Sequence, residues 1–120
     1  MKYSVLVMFC LISSVLIVSC SGSRSYDDVN ASDIKEACDC MEAFDVITSD
    51  MLNVLSEINS KEEYNNSPNI KAEGDKITAK YNEIDDRCDE LKFSREDLKG
   101  CDKNKKVTDQ MKLINEKLNL

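Results

Sequence analysis

Histidine and tryptophan are absent from the chain, proline occurs once, glycine three times, and aromatic side chains make up 6% of the 120 residues. Without histidine the commonest general base at neutral pH is missing. No nucleophile with a base beside it, no carboxylate pair in a cleft and no phosphate-binding loop can be placed in what remains. The chain therefore reads as a non-enzyme that needs no cofactor. Few glycines, prolines and aromatics also argue against a turn-rich β architecture and for helices. At this length one domain with one modest core is the most the chain can build.

What is present begins with an apolar leader. Lys2 gives a short positive start, and Val5 to Val18 is uncharged and apolar or small throughout. About 14 residues fall short of the roughly 20 that a membrane-spanning helix needs, so residues 1–19 read as a targeting signal. The run ends in Ile17, Val18, Ser19 and Cys20, and these four residues resemble a bacterial lipobox, the processing site of lipoproteins. The resemblance covers about a sixth of the chain. It implies that Cys20 receives a diacylglycerol, that the signal is cut before it, and that the new amino group is acylated. Two or more acyl chains anchor a protein to a bilayer where one holds it only marginally. Cys10 lacks the pattern, because Phe9 precedes it and apolar sequence follows. By analogy with enterobacterial lipoproteins, Ser21 after the lipid cysteine argues against inner-membrane retention and for the outer membrane, on its periplasmic or surface face.

Beyond Cys20, residues 20–31 are small and polar with no apolar period, which suits a flexible tether. Residues 32–120 are expected to form a small all-α domain. Asn30 or Ser32 can cap a first helix, whose stripe is Ile34, Ala37, Met41, Phe44, Met51, Leu55 and Ile58, with Thr48 the one polar interruption. Asn59 to Asn69 reads as a loop, and Pro68 suits the first turn of the next helix. A second stripe follows in Ile70, Ile77, Tyr81, Ile84, Cys88 and Leu91, weakened early by Gly74. Two such stripes predict an antiparallel hairpin. Ser94 caps a short turn of helix that breaks at Gly100, and Val107, Met111, Ile114 and Leu118 form a third, C-terminal stripe.

Six cysteines are present. Losing Cys10 with the signal and lipidating Cys20 leaves Cys38, Cys40, Cys88 and Cys101, an even number in an exported chain, which suggests two disulfides stapling the hairpin and the C-terminal helix. Folding the hairpin about its loop sets Cys38 and Cys40 level with Cys88. Two residues apart on a helix means about 200° around its axis, so the two cannot reach the same neighbour. Sidedness leaves open which one meets Cys88; Cys40 with Cys88 and Cys38 with Cys101 is the favoured arrangement. The competing reading is thiol exchange or capture of a soft metal, Cu(I) or Zn, by Cys38 and Cys40. No histidine, CxxC or repeated ligand pair supports a zinc site of usual spacing.

Once Lys2 leaves with the signal, 15 basic face 23 acidic side chains, a formal charge of about −8 that excludes nucleic acid as a partner. Asp27 to Glu90 holds 18 acids and 6 bases, Leu91 to Leu120 holds 5 acids and 8 bases, so the basic C-terminal helix is expected to rest on the acidic hairpin. Glu83, Asp85, Asp86, Asp89 and Glu90 cluster but lack the alternation, glycine and terminal glutamate of a calcium loop, and read as a solvated helix face. The functional expectation is a lipid-anchored envelope protein acting through an envelope protein partner, as inhibitor, immunity factor or assembly subunit. Spare apolar surface on the helices would also allow a homodimer.

Overall fold

The computed structural model describes residues 24–119, and every regular element among them is helical. Five α-helices follow two 3-10 turns, Tyr26–Asp28 and Ala31–Asp33: α1 Ala37–Leu55, α2 Lys61–Asn65, α3 Pro68–Glu90, α4 Arg95–Lys99 and α5 Asn104–Leu118. The chain is thus all-α, with a helical hairpin, a C-terminal helix and two disulfides, as the apolar periods predict. The leader, the lipobox and Cys20 lie outside the described residues.

Helix α1 is the centre. Cys40 meets Cys88 and Phe44 stacks on Tyr81 with ring centroids 4.9 Å apart, so α3 runs antiparallel to α1. Met41 meets Asn104, Asp45 meets Lys106 and Thr48 meets Gln110, so α5 returns parallel to α1 along another of its faces. Being covered twice, α1 buries an arc wider than one stripe: Cys40, Ala43 and Ile47 are buried beside Met41, Phe44, Met51 and Leu55. The basic C-terminal helix does rest on the acidic hairpin. Asp45, on α1, takes Lys106 at 2.8 Å and Lys103 at 3.5 Å.

Thr48 is buried within this contact. Its hydroxyl lies 2.7 Å from the Phe44 carbonyl and 2.6 Å from the Gln110 side-chain oxygen, while the Gln110 amide nitrogen donates to Ser49 at 2.9 Å. The polar interruption in the stripe is therefore the point where α5 is keyed onto α1. A buried hydroxyl without a partner would be costly, so the pairing also disfavours slippage of α5 along α1.

Two sequence expectations are corrected. The first helix does not begin at Asn30 or Ser32: it begins at Ala37, where the Asp39 carboxylate accepts from the backbone N–H groups of Lys35 and Glu36, both at 3.0 Å. Those two hydrogen bonds hold the Asp39 carboxyl below the ordinary aspartate range. And residues 24–31 belong to the folded body, not to a tether. Tyr26, Val29 and Ile34 are buried, and the chain between them forms a strap over the α1–α3 surface. Lys80 donates to the Val29 carbonyl at 2.9 Å and Arg87 to the Ile34 carbonyl at 3.3 Å, so α3 supplies the hydrogen bonds that the strap's irregular backbone needs.

The loop of residues 59–69 is also more ordered than its composition suggests. It contains α2, opened by Ser60, whose hydroxyl accepts from the Glu63 N–H at 3.2 Å. Pro68 stands at the start of α3 as expected. Tyr64 of α2 lies across Gly74 of α3, where an added Cβ would collide with the tyrosine hydroxyl. Gly74 is a seat for Tyr64, at the expense of some helix propensity.

The strap is fastened at Tyr26, whose N–H donates to Asp50 at 2.8 Å and whose hydroxyl donates to Glu73 at 2.9 Å. Burial first, then the bond to Glu73 and the neighbouring charges of Asp27, Glu73 and Asp50, push the phenol up to about 12. In the unfolded chain it ionises near pH 10. A raised acid contributes its full stability below the unfolded value and loses it as pH climbs through the folded one, here from 10 toward 12. Tyr26→Phe should therefore destabilise the fold by about 1 kcal/mol at pH 9, and the gap to wild type should narrow or reverse by pH 11.5, read from urea midpoints. A gap that stays constant would mean that the hydroxyl is neither buried nor bonded to Glu73.

Candidate functional site

The four cysteines meet in pairs. Cys38 bonds to Cys101 and Cys40 to Cys88, with Cα atoms 5.3 and 6.2 Å apart, which is the favoured arrangement of the sequence reading. The start of α1 presents Cys38 outward and Cys40 inward, because the two stand about 200° apart on the helix. Cys40, Cys88 and Cys101 are buried, whereas Cys38 is exposed. One staple thus lies inside the α1–α3 contact and the other ties the junction of α4 and α5 to the first turn of α1. Cys38 and Cys40 do not face each other as a dithiol pair, and as long as both bonds stand neither offers a thiolate to a soft metal.

Asp39, between them, is occupied in capping α1. The acidic run on α3 is spread over a solvent face: Glu83, Asp86, Asp89 and Glu90 are exposed, Glu83 pairs with Lys80 at 3.3 Å and Glu90 with Arg87 at 3.6 Å. Asp85 is half-buried. Burial, then the charges of Asp89 and Asp86, push its carboxyl up. Among the described residues no group of acidic or cysteine side chains is arranged to hold a metal ion.

The third feature has no counterpart in the sequence reading. Helices α3 and α5 each pack on α1 but diverge from one another, leaving a recess of about 160 Å³ floored by Ile47 and Met51 and walled by Ile77, Tyr81, Met111 and Ile114. Thr48, Thr78, Asn115 and Leu118 stand at it as well, and among the described residues no charged side chain lines it. In a chain of which 32% is charged, that exclusion sets the recess apart. By contrast, the depression beneath the strap, lined by Arg24, Asp33, Asp39 and Glu42 among others, has only about 60 Å³.

Sequence reasoning placed all four disulfide cysteines and missed the strap and the recess. A signal for the strap exists: Tyr26 and Val29 are three residues apart, with Ile34 beyond, a sparse apolar pattern within polar surroundings. For the recess there is none, since its walls are ordinary stripe residues whose separation depends on how α3 and α5 splay over α1.

The exposure difference between the two staples has a measurable consequence. Under limiting reductant and rapid alkylation, Cys38 and Cys101 should be labelled well before Cys40 and Cys88, as peptide mass mapping would show; simultaneous labelling would mean that both bonds open only with the whole fold. Each bridge closes a long loop, 63 and 48 residues, worth about 4 kcal/mol in the chain-entropy model, so Cys40→Ser with Cys88→Ser should remove much of a small domain's stability, read by thermal unfolding. No protein-family model, no curated protein and no solved structure matches this chain.

Proposed function

We propose that the chain is a lipid-anchored protein of the bacterial cell envelope, held to the membrane through Cys20, whose helical body is a non-catalytic protein-interaction module. The observation that carries the exported setting is the pairing of Cys38, Cys40, Cys88 and Cys101 in two disulfides, since such bonds persist in oxidising compartments and are rare in the cytosol. The lipobox-like Ile17 to Cys20 supplies the anchor. The packed strap shortens the connection. From Cys20 to Tyr26 a chain can extend at most about 21 Å, so an anchor at Cys20 keeps the body close to the bilayer.

An interaction role, as inhibitor, immunity factor or assembly subunit of the outer membrane, suits a small stapled bundle with an acidic hairpin and a basic final helix. Two disulfides keep its surface in one shape and so lower the ordering cost of binding a protein partner. One observation favours a second reading: exposed Cys38 makes the Cys38–Cys101 bond the accessible one for a redox role. In that reading Cys38 and Cys101 are the exchanging pair, and the Cys38 and Cys40 pair of the sequence reading acts only if both bonds open.

Metabolic labelling with a clickable palmitate analogue should mark the wild-type chain and leave Cys20→Ser unmarked, and the mature N-terminus should be residue 20 by mass spectrometry. An unmodified Cys20, or a different N-terminus, overturns the anchor. Crosslinking on the native envelope should enrich one specific protein. Recovery of only abundant envelope proteins overturns the interaction role.

A further inference from the structure

We infer that the recess between α3 and α5 is a binding site for a small, uncharged molecule with a ring-sized apolar body and one hydrogen-bonding group, of the class of simple phenols. This goes beyond the anchored-module reading and does not depend on it. The size of the guest follows from the space. A benzene-sized guest fits an apolar cavity of about 150 Å³, and this recess, which is half open to solvent, has about 160 Å³. Its chemistry follows from the lining. Ile47, Ile77 and Ile114 are each almost wholly removed from solvent, and Met111 adds a flexible, polarizable wall that can adjust to a guest. With no charged side chain among the described residues that line it, an ionic group placed against its floor would lose hydration without compensation.

The polar requirement comes from the rim. The Asn115 amide and the Tyr81 hydroxyl make no side-chain hydrogen bond among the described residues, whereas Thr78 has spent its proton on the Gly74 carbonyl at 2.9 Å and can only accept. A guest hydroxyl can donate to Thr78 or to the Asn115 side-chain oxygen and accept from the Asn115 amide nitrogen. A partner helix is a poorer fit, because it needs an apolar stripe longer than the recess. The exposed residues beside it, Asp75 and Asn82 on α3 with Lys112 and Glu116 on α5, are polar or charged.

Phenol, benzene and benzoate serve as probes against the full chain in lipid nanodiscs, followed through the methyl resonances of Ile77, Met111 and Ile114. Phenol should give saturable shifts confined to these methyls, with nuclear Overhauser contacts from its ring protons, and should bind at least tenfold more tightly than benzoate and no more weakly than benzene. Leu118→Trp, which fills the rim of the recess, should weaken phenol at least tenfold and show blue-shifted emission from the only tryptophan in the chain; Lys112→Ala should leave binding unchanged. Absence of saturable shifts up to the solubility limit overturns the site, as does benzoate binding as well as phenol, or nanodisc acyl protons contacting the same methyls. The contacts in the wild-type chain decide the matter even if Leu118→Trp fails to fold.

Discussion

Helix α1 buries an apolar arc too wide for any one neighbour, and the rest of the architecture follows from covering it. Cys40, Met41, Phe44, Ile47, Thr48, Met51 and Leu55 cannot all face one partner helix, so α3 and α5 close on different sides and the strap lies over the α1–α3 surface. Burial of this arc is the largest favourable contribution available to a chain of this size. The two helices that cover it cannot also pack closely on one another along their whole length, and the recess between α3 and α5 is the geometric remainder.

Polar groups fix the register that apolar packing leaves loose. Thr48 with Gln110 and Asp45 with Lys103 and Lys106 key α5 to α1, while Lys80 and Arg87 of α3 take up the carbonyls of Val29 and Ile34. Every one of these contacts joins segments far apart in sequence. The disulfides act on the same joints. Cys40–Cys88 spans the α1–α3 contact and Cys38–Cys101 ties the α4–α5 junction to the start of α1, so both limit the freedom of the unfolded chain.

Much of this was legible beforehand because it is periodic or covalent. Steps of three and four mark the apolar faces of α1, α3 and α5; Pro68, Ser94 and Gly100 mark boundaries through backbone geometry; an even set of cysteines on a hairpin implies two bridges. The strap was hidden because its apolar residues follow neither the helical nor the strand period, and its hydrogen bonds come from Lys80 and Arg87, more than 50 residues away. Helix α2 was hidden because Lys61–Asn65 is too short to show a period. Its support is Tyr64 resting on Gly74, so a residue that weakens the helix locally is explained by a contact that local sequence does not encode.

The sequence by itself determined the helical class, the three apolar faces and the candidate bridging cysteines, because spacing along a helix or between thiols depends only on local geometry. The tertiary structure alone decided that Cys38 reaches Cys101 while Cys40 reaches Cys88, that Tyr26 to Ile34 belongs to the body, that Thr48 is answered by Gln110, and that α3 and α5 stand apart. Those outcomes depend on the angle and depth at which one helix settles on another, which emerge only when all the side chains compete for the same space.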